Sequence, residues 1–191
     1  IIGAISNRNY ARLLVGMFFL SMLIGTHETI SIYMGTFFYE LAPQQIGWLI
    51  INNILGYAFG FIAAAKLHER FDKPFVIVAA VIGLTIFWSA SANITLLGLA
   101  PERGSWDLVL MIIIFGSIAS ASGSILHISV MSALADIADE HELKTGIRQE
   151  GVFYAARSFF SKTSNGIGHV ITGVALDFIA FPSKAMPGEI A

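Results

Sequence analysis

Lys162 stands about eleven residues inside an apolar stretch, roughly 16 Å along a helix that rises 1.5 Å per residue. That depth is near mid-bilayer, too far from either helix end for the ammonium to snorkel easily into water. It must face protein or an aqueous cavity. Ser158 precedes it by four residues, and Asn165, Gly166, His169 and Gly173 follow it by three, four, seven and eleven, so the six share a helix face. A polar stripe of this kind suits binding of a polar solute or an ion; the plainer alternative is a structural ion pair between helices. His27 and Glu28 form a second candidate, deep in another apolar stretch with Thr26 and Ser31 nearby. The run His27-Glu28-Thr29-Ile30-Ser31 begins like the HExxH of zinc proteases, but Ser31 stands where the second histidine is required. Two ligands do not make a zinc site. Glu28 reads instead as a cavity carboxylate for a cation or a substrate hydroxyl, or else as the partner of Lys162 or a helix-packing hydrogen bond.

Other polar groups lie in apolar surroundings. Gly116, Ser120 and Ser124 repeat the small-xxx-small spacing that lets helices approach closely, and packing is their stronger reading. His127 follows them, either as a cavity residue or as a satisfied buried histidine. Asn52 and Asn53 either line a pore or act as interhelical glue. The chain has no cysteine, which removes disulfides, thiolate catalysis and zinc–thiolate sites. It carries no Walker motif and no nucleophile–base constellation, so neither an ATP-driven pump nor an enzyme is expected.

Helices must position these groups. Only 13% of residues are charged, against roughly 25% in an average soluble domain. Eleven basic and thirteen acidic side chains are too few to clothe a soluble domain of 191 residues that is 55% hydrophobic. A net charge of −2 offers no basic surface to nucleic acid. The expected fold is all-α and polytopic, embedded in a lipid bilayer. Five stretches, 11–39, 45–67, 74–99, 107–135 and 151–181, exceed the roughly 20 apolar residues needed to span one. The apolar runs are continuous rather than alternating, which argues against barrel strands. The breaks carry loop chemistry: Ala42-Pro43-Gln44, Glu69 to Pro74, Pro101 to Gly104, and Glu140 to Gly146, with Pro74 fit for a helix first turn.

Five spans alternate the connections between two sides. Arg8, Arg12, Lys66, Arg70, Lys73, Lys144, Arg148 and Arg157 fall on one side, and only Arg103 and Lys184 on the other. By the positive-inside rule the N-terminus is cytoplasmic and the C-terminus external, in a multi-pass protein of the cell membrane. Tyr39, Trp48 and Trp106 then belong to the outer aromatic belt and Tyr10 to the inner one. The chain opens on Ile1 without a signal-peptide pattern and runs out in a loop-like stretch, 182–188, which reads as a piece of a longer protein.

The connection between the fourth and fifth spans carries the densest charge. Asp136, Asp139 and Glu142 recur every third residue, opposite Lys144 and Arg148 across a turn at Gly146. Charges placed so can form ion pairs in one conformation and release them in another. The full pattern, A-D-x-x-D-x-x-E-x-K-T-G-x-R-x-E-G from Ala135 to Gly151, followed eleven residues later by Lys162, resembles the glycoside–pentoside–hexuronide:cation symporters. These are the melibiose-permease-like branch of the major facilitator superfamily. Asn7-Arg8-Asn9-Tyr10 is similar to the start of that family's seventh helix, and Arg70-Phe71-Asp72-Lys73 to a degenerate basic loop after the eighth.

The resemblance implies that residues 1–191 form an incomplete C-terminal bundle, helices seven to eleven of twelve, whose partner is the N-terminal half of the same transporter. It implies symport of a small solute, a sugar or glycoside, by alternating access, with Na⁺ or H⁺ as coupling cation and no other cofactor. In such relatives the lysine matching Lys162 lies near the cation and sugar sites. The carboxylates that bind the cation in such relatives lie mainly on the N-terminal helices; Asn165, His169, Glu28, His27, His127, Asn52 and Asn53 complete the candidate binding set here on the cost of burying polar groups, not on the resemblance. Asp136, Asp139, Glu142, Lys144, Arg148 and Glu150, with Arg70 and Lys73, form a candidate cytoplasmic gate. A lysolipid symporter of the same fold and a non-transporting receptor or scaffold are the alternatives.

Overall fold

The structure, a computed structural model, describes residues 8–181. Ile1, Asn7, Lys184 and the 182–188 stretch, each used above, lie outside the described residues. Among the described residues there are helices and no strands. Helix α1 is Arg8–Tyr33 and runs on as a π-helical turn, Met34–Phe38. Two pieces, α2 (Pro43–Trp48) and α3 (Ile50–Arg70), follow, then α4 (Lys73–Leu96), α5 (Trp106–Thr145) and α6 (Glu150–Phe178). All five expected stretches are thus helical over most of their length.

Four helical segments, Arg8–Phe38, Pro43–Arg70, Lys73–Leu96 and Trp106–Thr145, are long and apolar enough to cross a membrane. Helix α6 has 29 residues, ample length for a span, but Arg157, Lys162, Asn165 and His169 lower its apolarity. Local chemistry sets the ends. Pro74 sits in the first turn of α4, as expected. Pro43 opens α2, where the Ala42 N–H donates to Gln45 Oε1 at 2.7 Å. One boundary differs from the sequence reading. The sequence ends the fourth span near Ala135 and places a loop-like break at Glu140 to Gly146, with Gly146 ending a helix; α5 continues through the break to Thr145 for 40 residues and stops at Gly146 as expected. Glu140, His141, Glu142, Leu143 and Lys144 contain no breaker, and Glu140 pairs with Lys144 one turn on, so the helix stops only at Gly146 (φ 68°).

The chain divides into two compact units, Ile1–Met34 with Ala133–Ala191, and Gly35–Ser132. In the first, α1 packs along α6 at a seam of small residues. A Cβ at Gly25 would overlap the Asn165 carbonyl, and one at Gly168 would overlap the Met22 carbonyl and come within 2.8 Å of the Thr26 nitrogen. Backbones this close bring side chain to backbone. Thr26 Oγ1 donates to Gly168 O and Thr172 Oγ1 to Thr26 O, both at 3.2 Å, and the Ser21 and Ser161 hydroxyls meet at 3.0 Å. At one end Tyr10, Leu14, Leu134, Ala138 and Phe153 form a buried cluster. Tyr10 donates to the Phe153 carbonyl at 2.7 Å and sets its ring edge-on to the Phe153 ring.

In the second unit, Gly56 and Gly60 of α3 admit the small residues of α5. A Cβ at Gly60 would stand 2.5 Å from the Ala121 carbonyl oxygen and 2.7 Å from Ser124 Cβ. The packing reading of that serine-rich stretch is borne out. A loop knot closes one end of this unit: Gln45 Nε2 donates to Gly104 O at 2.8 Å, Gly104 N to Tyr39 O at 2.9 Å, and Arg103 pairs with Glu40 at 3.3 Å. The aromatic belt needs correcting. Tyr10 and Tyr39 are buried, Tyr39 against the Ser91 hydroxyl at 3.0 Å, because each phenol has a protein partner that lipid would not supply. Trp48 and Trp106 remain exposed.

Candidate functional site

One turn beyond the Gly25–Gly168 contact, the seam between α1 and α6 turns polar. Glu28 and Thr29 project from α1; Asn165 and His169, four residues apart, project from α6. Thr29 Oγ1 lies 2.6 Å from His169 Nδ1 and 3.2 Å from the Gly25 carbonyl. His169 Nε2 lies 2.9 Å from Asn165 Oδ1 and 3.7 Å from Glu28 Oε2. Asn165 Nδ2 completes the circuit with a long bond of 3.4 Å to the same carboxylate oxygen. The His169 and Glu28 side chains are 43% and 57% exposed, so the cluster is open on one side. A carboxylate, an imidazole, an amide and a hydroxyl at these distances can bind sugar hydroxyls or hold a cation or a proton.

Three sequence candidates, Glu28, Asn165 and His169, are therefore brought together. His27 is half-buried on α1 beside Glu28. Lys162 is exposed on the flank of α6 and forms no ion pair with Glu28; the carboxylate faces the imidazole instead. The buried line of α6 is also displaced from the expected stripe. It runs through Ser164, Gly168 and Thr172, whereas Gly166 and Gly173 have open space where a Cβ would stand. The cause is the glycine contact: the closest backbone approach fixes which face turns inward, and Lys162 falls beside it. Thr29, Gly25 and Gly168 were not among the sequence candidates. The small-residue spacing of Ser21 and Gly25, and of Ser164, Gly168 and Thr172, was the signal that could have found them.

The second unit holds the remaining binding candidates. Ser120 Oγ donates to Asn53 Oδ1 at 2.9 Å, the interhelical glue that one reading allowed. Asn52 lies over Gly116, with its Oδ1 and the Ser117 hydroxyl buried and unpaired among the described residues. His127 is exposed on α5. Among the described residues, no three His, Asp or Glu side chains gather closely enough to hold a metal ion.

Of the candidate gate residues, Asp136, Asp139, Glu142 and Lys144 lie on the last turns of α5, while Arg148 sits in the short link and Glu150 opens α6. Arg148 pairs with Glu150 at 3.1 Å. That hydrogen bond, reinforced by the charge of Glu142, raises the guanidinium pKa above its ordinary value. Lys144 is held by Glu140. Arg70 closes α3, where its charge complements the helix dipole, and Lys73 opens α4.

A family model described as MFS/sugar transport protein matches residues 3–190. The chain is 27% identical, over 97% of its length, to an uncharacterised symporter of Synechocystis sp., of which it covers 32%. It is 23% identical, over 85% of its length, to an uncharacterised 29.9 kDa protein of Pseudescherichia vulneris, of which it covers 55%. The chain thus spans about a third and about half of these two relatives. No solved structure matches it significantly.

Proposed function

Because this chain belongs to the MFS/sugar transport protein family, we propose that it serves, within a longer transporter, in cation-coupled symport of a small solute, a sugar, by alternating access. The observation that carries the reading is the Glu28–His169–Asn165–Thr29 cluster. Ionisable groups are costly in the middle of membrane helices and are kept there for ions or polar substrates. Lys162, one turn from Asn165 and unpaired among the described residues, is the group on this chain that a carboxylate or solute from the other half-bundle would meet. The similarity to a protein named as a symporter supports coupling to an ion. The charge bias supports an N-terminus on the cytoplasmic side of the cell membrane and, with it, a cytoplasmic gate at the tip of α5, Arg148 and Glu150.

The test is uptake by the full-length protein in proteoliposomes, across sugars and lysolipids, with a Na⁺ gradient, a pH gradient or neither. Sugar accumulation that depends on one gradient is the expected result, and Lys162→Ala should abolish it while the protein still inserts. Ungated, gradient-independent behaviour of every solute, or unchanged coupled uptake by a well-inserted Lys162→Ala protein, refutes the reading.

A further inference from the structure

We infer that the coupling ion is a proton and that His169 carries it, held between Glu28, Asn165 and Thr29. This rests on the symport reading above and names its ion. The argument is a count of hydrogens. Asn165 Nδ2 faces the Glu28 carboxylate, so its Oδ1, an acceptor only, faces His169 Nε2 at 2.9 Å. Turning the amide over would set its oxygen against the carboxylate, acceptor on acceptor. Nε2 therefore bears a hydrogen. The other ring nitrogen, Nδ1, is 2.6 Å from Thr29 Oγ1, and that hydroxyl is also 3.2 Å from the Gly25 carbonyl. Thr29 has one hydrogen to give. When it points to Nδ1, the ring is neutral; when it points to Gly25 O, the freed Thr29 lone pair accepts from a protonated Nδ1.

Both states of the ring are thus fully hydrogen-bonded without displacement of a heavy atom, and a hydroxyl rotation is all that separates them. The charge added by protonation lies 3.7 Å from Glu28 Oε2, which balances it. Imidazole is also the side chain whose ordinary charge change falls within the physiological pH range. The charged and titratable groups around it are few. From α1 these are Glu28, its neighbour His27 and, one turn past Thr29, Tyr33; from α6 itself, Lys162 lies two turns before His169, with Arg157 and Asp177 nearer the ends. The glycine contact keeps α1 and α6 together, so the site moves as one piece. Alternating access then changes only the compartment to which its open side gives the proton.

Full-length protein in proteoliposomes loaded with a pH-indicating dye tests this, with glucose, galactose and lactose supplied in turn and Na⁺ left out. Wild type is expected to take up protons with whichever sugar enters. His169→Gln, which keeps hydrogen-bonding capacity but cannot carry the charge, is expected to lose proton uptake per sugar. Thr29→Val should shift the pH dependence of that uptake, and it serves if the His169 variant fails to fold. Sugar influx into wild-type vesicles without protons, an unchanged proton-to-sugar ratio in His169→Gln, or an unshifted profile in Thr29→Val overturns the inference while leaving transport standing. Absence of influx for every solute, lysolipids included, overturns the symport reading itself and this inference with it.

Discussion

Replacing Gly168 by alanine adds a single methyl group at the place where α1 and α6 come closest. That methyl would overlap the Met22 carbonyl and stand 2.8 Å from the Thr26 nitrogen and 3.1 Å from the Gly25 carbonyl carbon. These are backbone atoms, which no rotamer change can move aside. The helices must part, at an overpacking cost of about 1–3 kcal/mol. Parting them also stretches the Thr26–Gly168 and Thr172–Thr26 hydrogen bonds, each worth about 0.6 kcal/mol on the scale of interhelical bonds in membranes. A loss of about 2–4 kcal/mol is expected. Gly166→Ala, two residues away, meets nothing within 4 Å and should gain up to about 1 kcal/mol from helix propensity. Denaturant titration of the full-length protein in detergent measures both. Gly25→Ala opens the same seam, so its effect and that of Gly168→Ala should fall short of additivity in the double variant. Equal stability of the Gly168 and Gly166 variants, or full additivity of the two seam substitutions, would refute the reasoning.

Two further outcomes follow from local geometry. Tyr10→Phe removes the buried hydrogen bond to the Phe153 carbonyl and leaves the ring contact, so the same titration should show a loss of about 1 kcal/mol. Gly146→Ala forces a side chain into the left-handed region that ends α5 and should cost about 1–2 kcal/mol, whereas Gly146→Asn should cost less.

Apolar run length made the helices readable from sequence, because a stretch such as 74–99 has no other stable arrangement in a bilayer. Faces were harder. The stripe through Lys162, Gly166 and Gly173 was drawn from residue polarity, but close backbone approach decides a helix seam in lipid, and that depends on the partner's glycine. Glu28 was legible as costly, and its neighbours His169 and Asn165 were legible as polar. Their meeting was not, since it needs the register of α1 against α6. Tyr10 and Tyr39 misled for a similar reason: depth along a helix is written in the sequence, but rotation about its axis is not. Gly146 was legible as the end of α5, but the charged run before it was not legible as helix, because its composition is loop-like although charges paired one turn apart favour a helix.

Forty residues of unbroken helix measure about 60 Å, and even tilted by about 40° α5 would rise some 46 Å, well beyond a hydrocarbon slab of about 30 Å. Its apolar part begins near Trp106, so the surplus lies at the other end, with Asp136, Asp139, Glu140, Glu142 and Lys144. Those charges ride on helix rather than on a slack tether. They also stand in bulk electrolyte, where a Debye length of about 8 Å at physiological ionic strength confines each charge's reach to its immediate neighbours. Salt concentration therefore weakens the exposed pairs at this end of the molecule, Glu140 with Lys144 and Arg148 with Glu150.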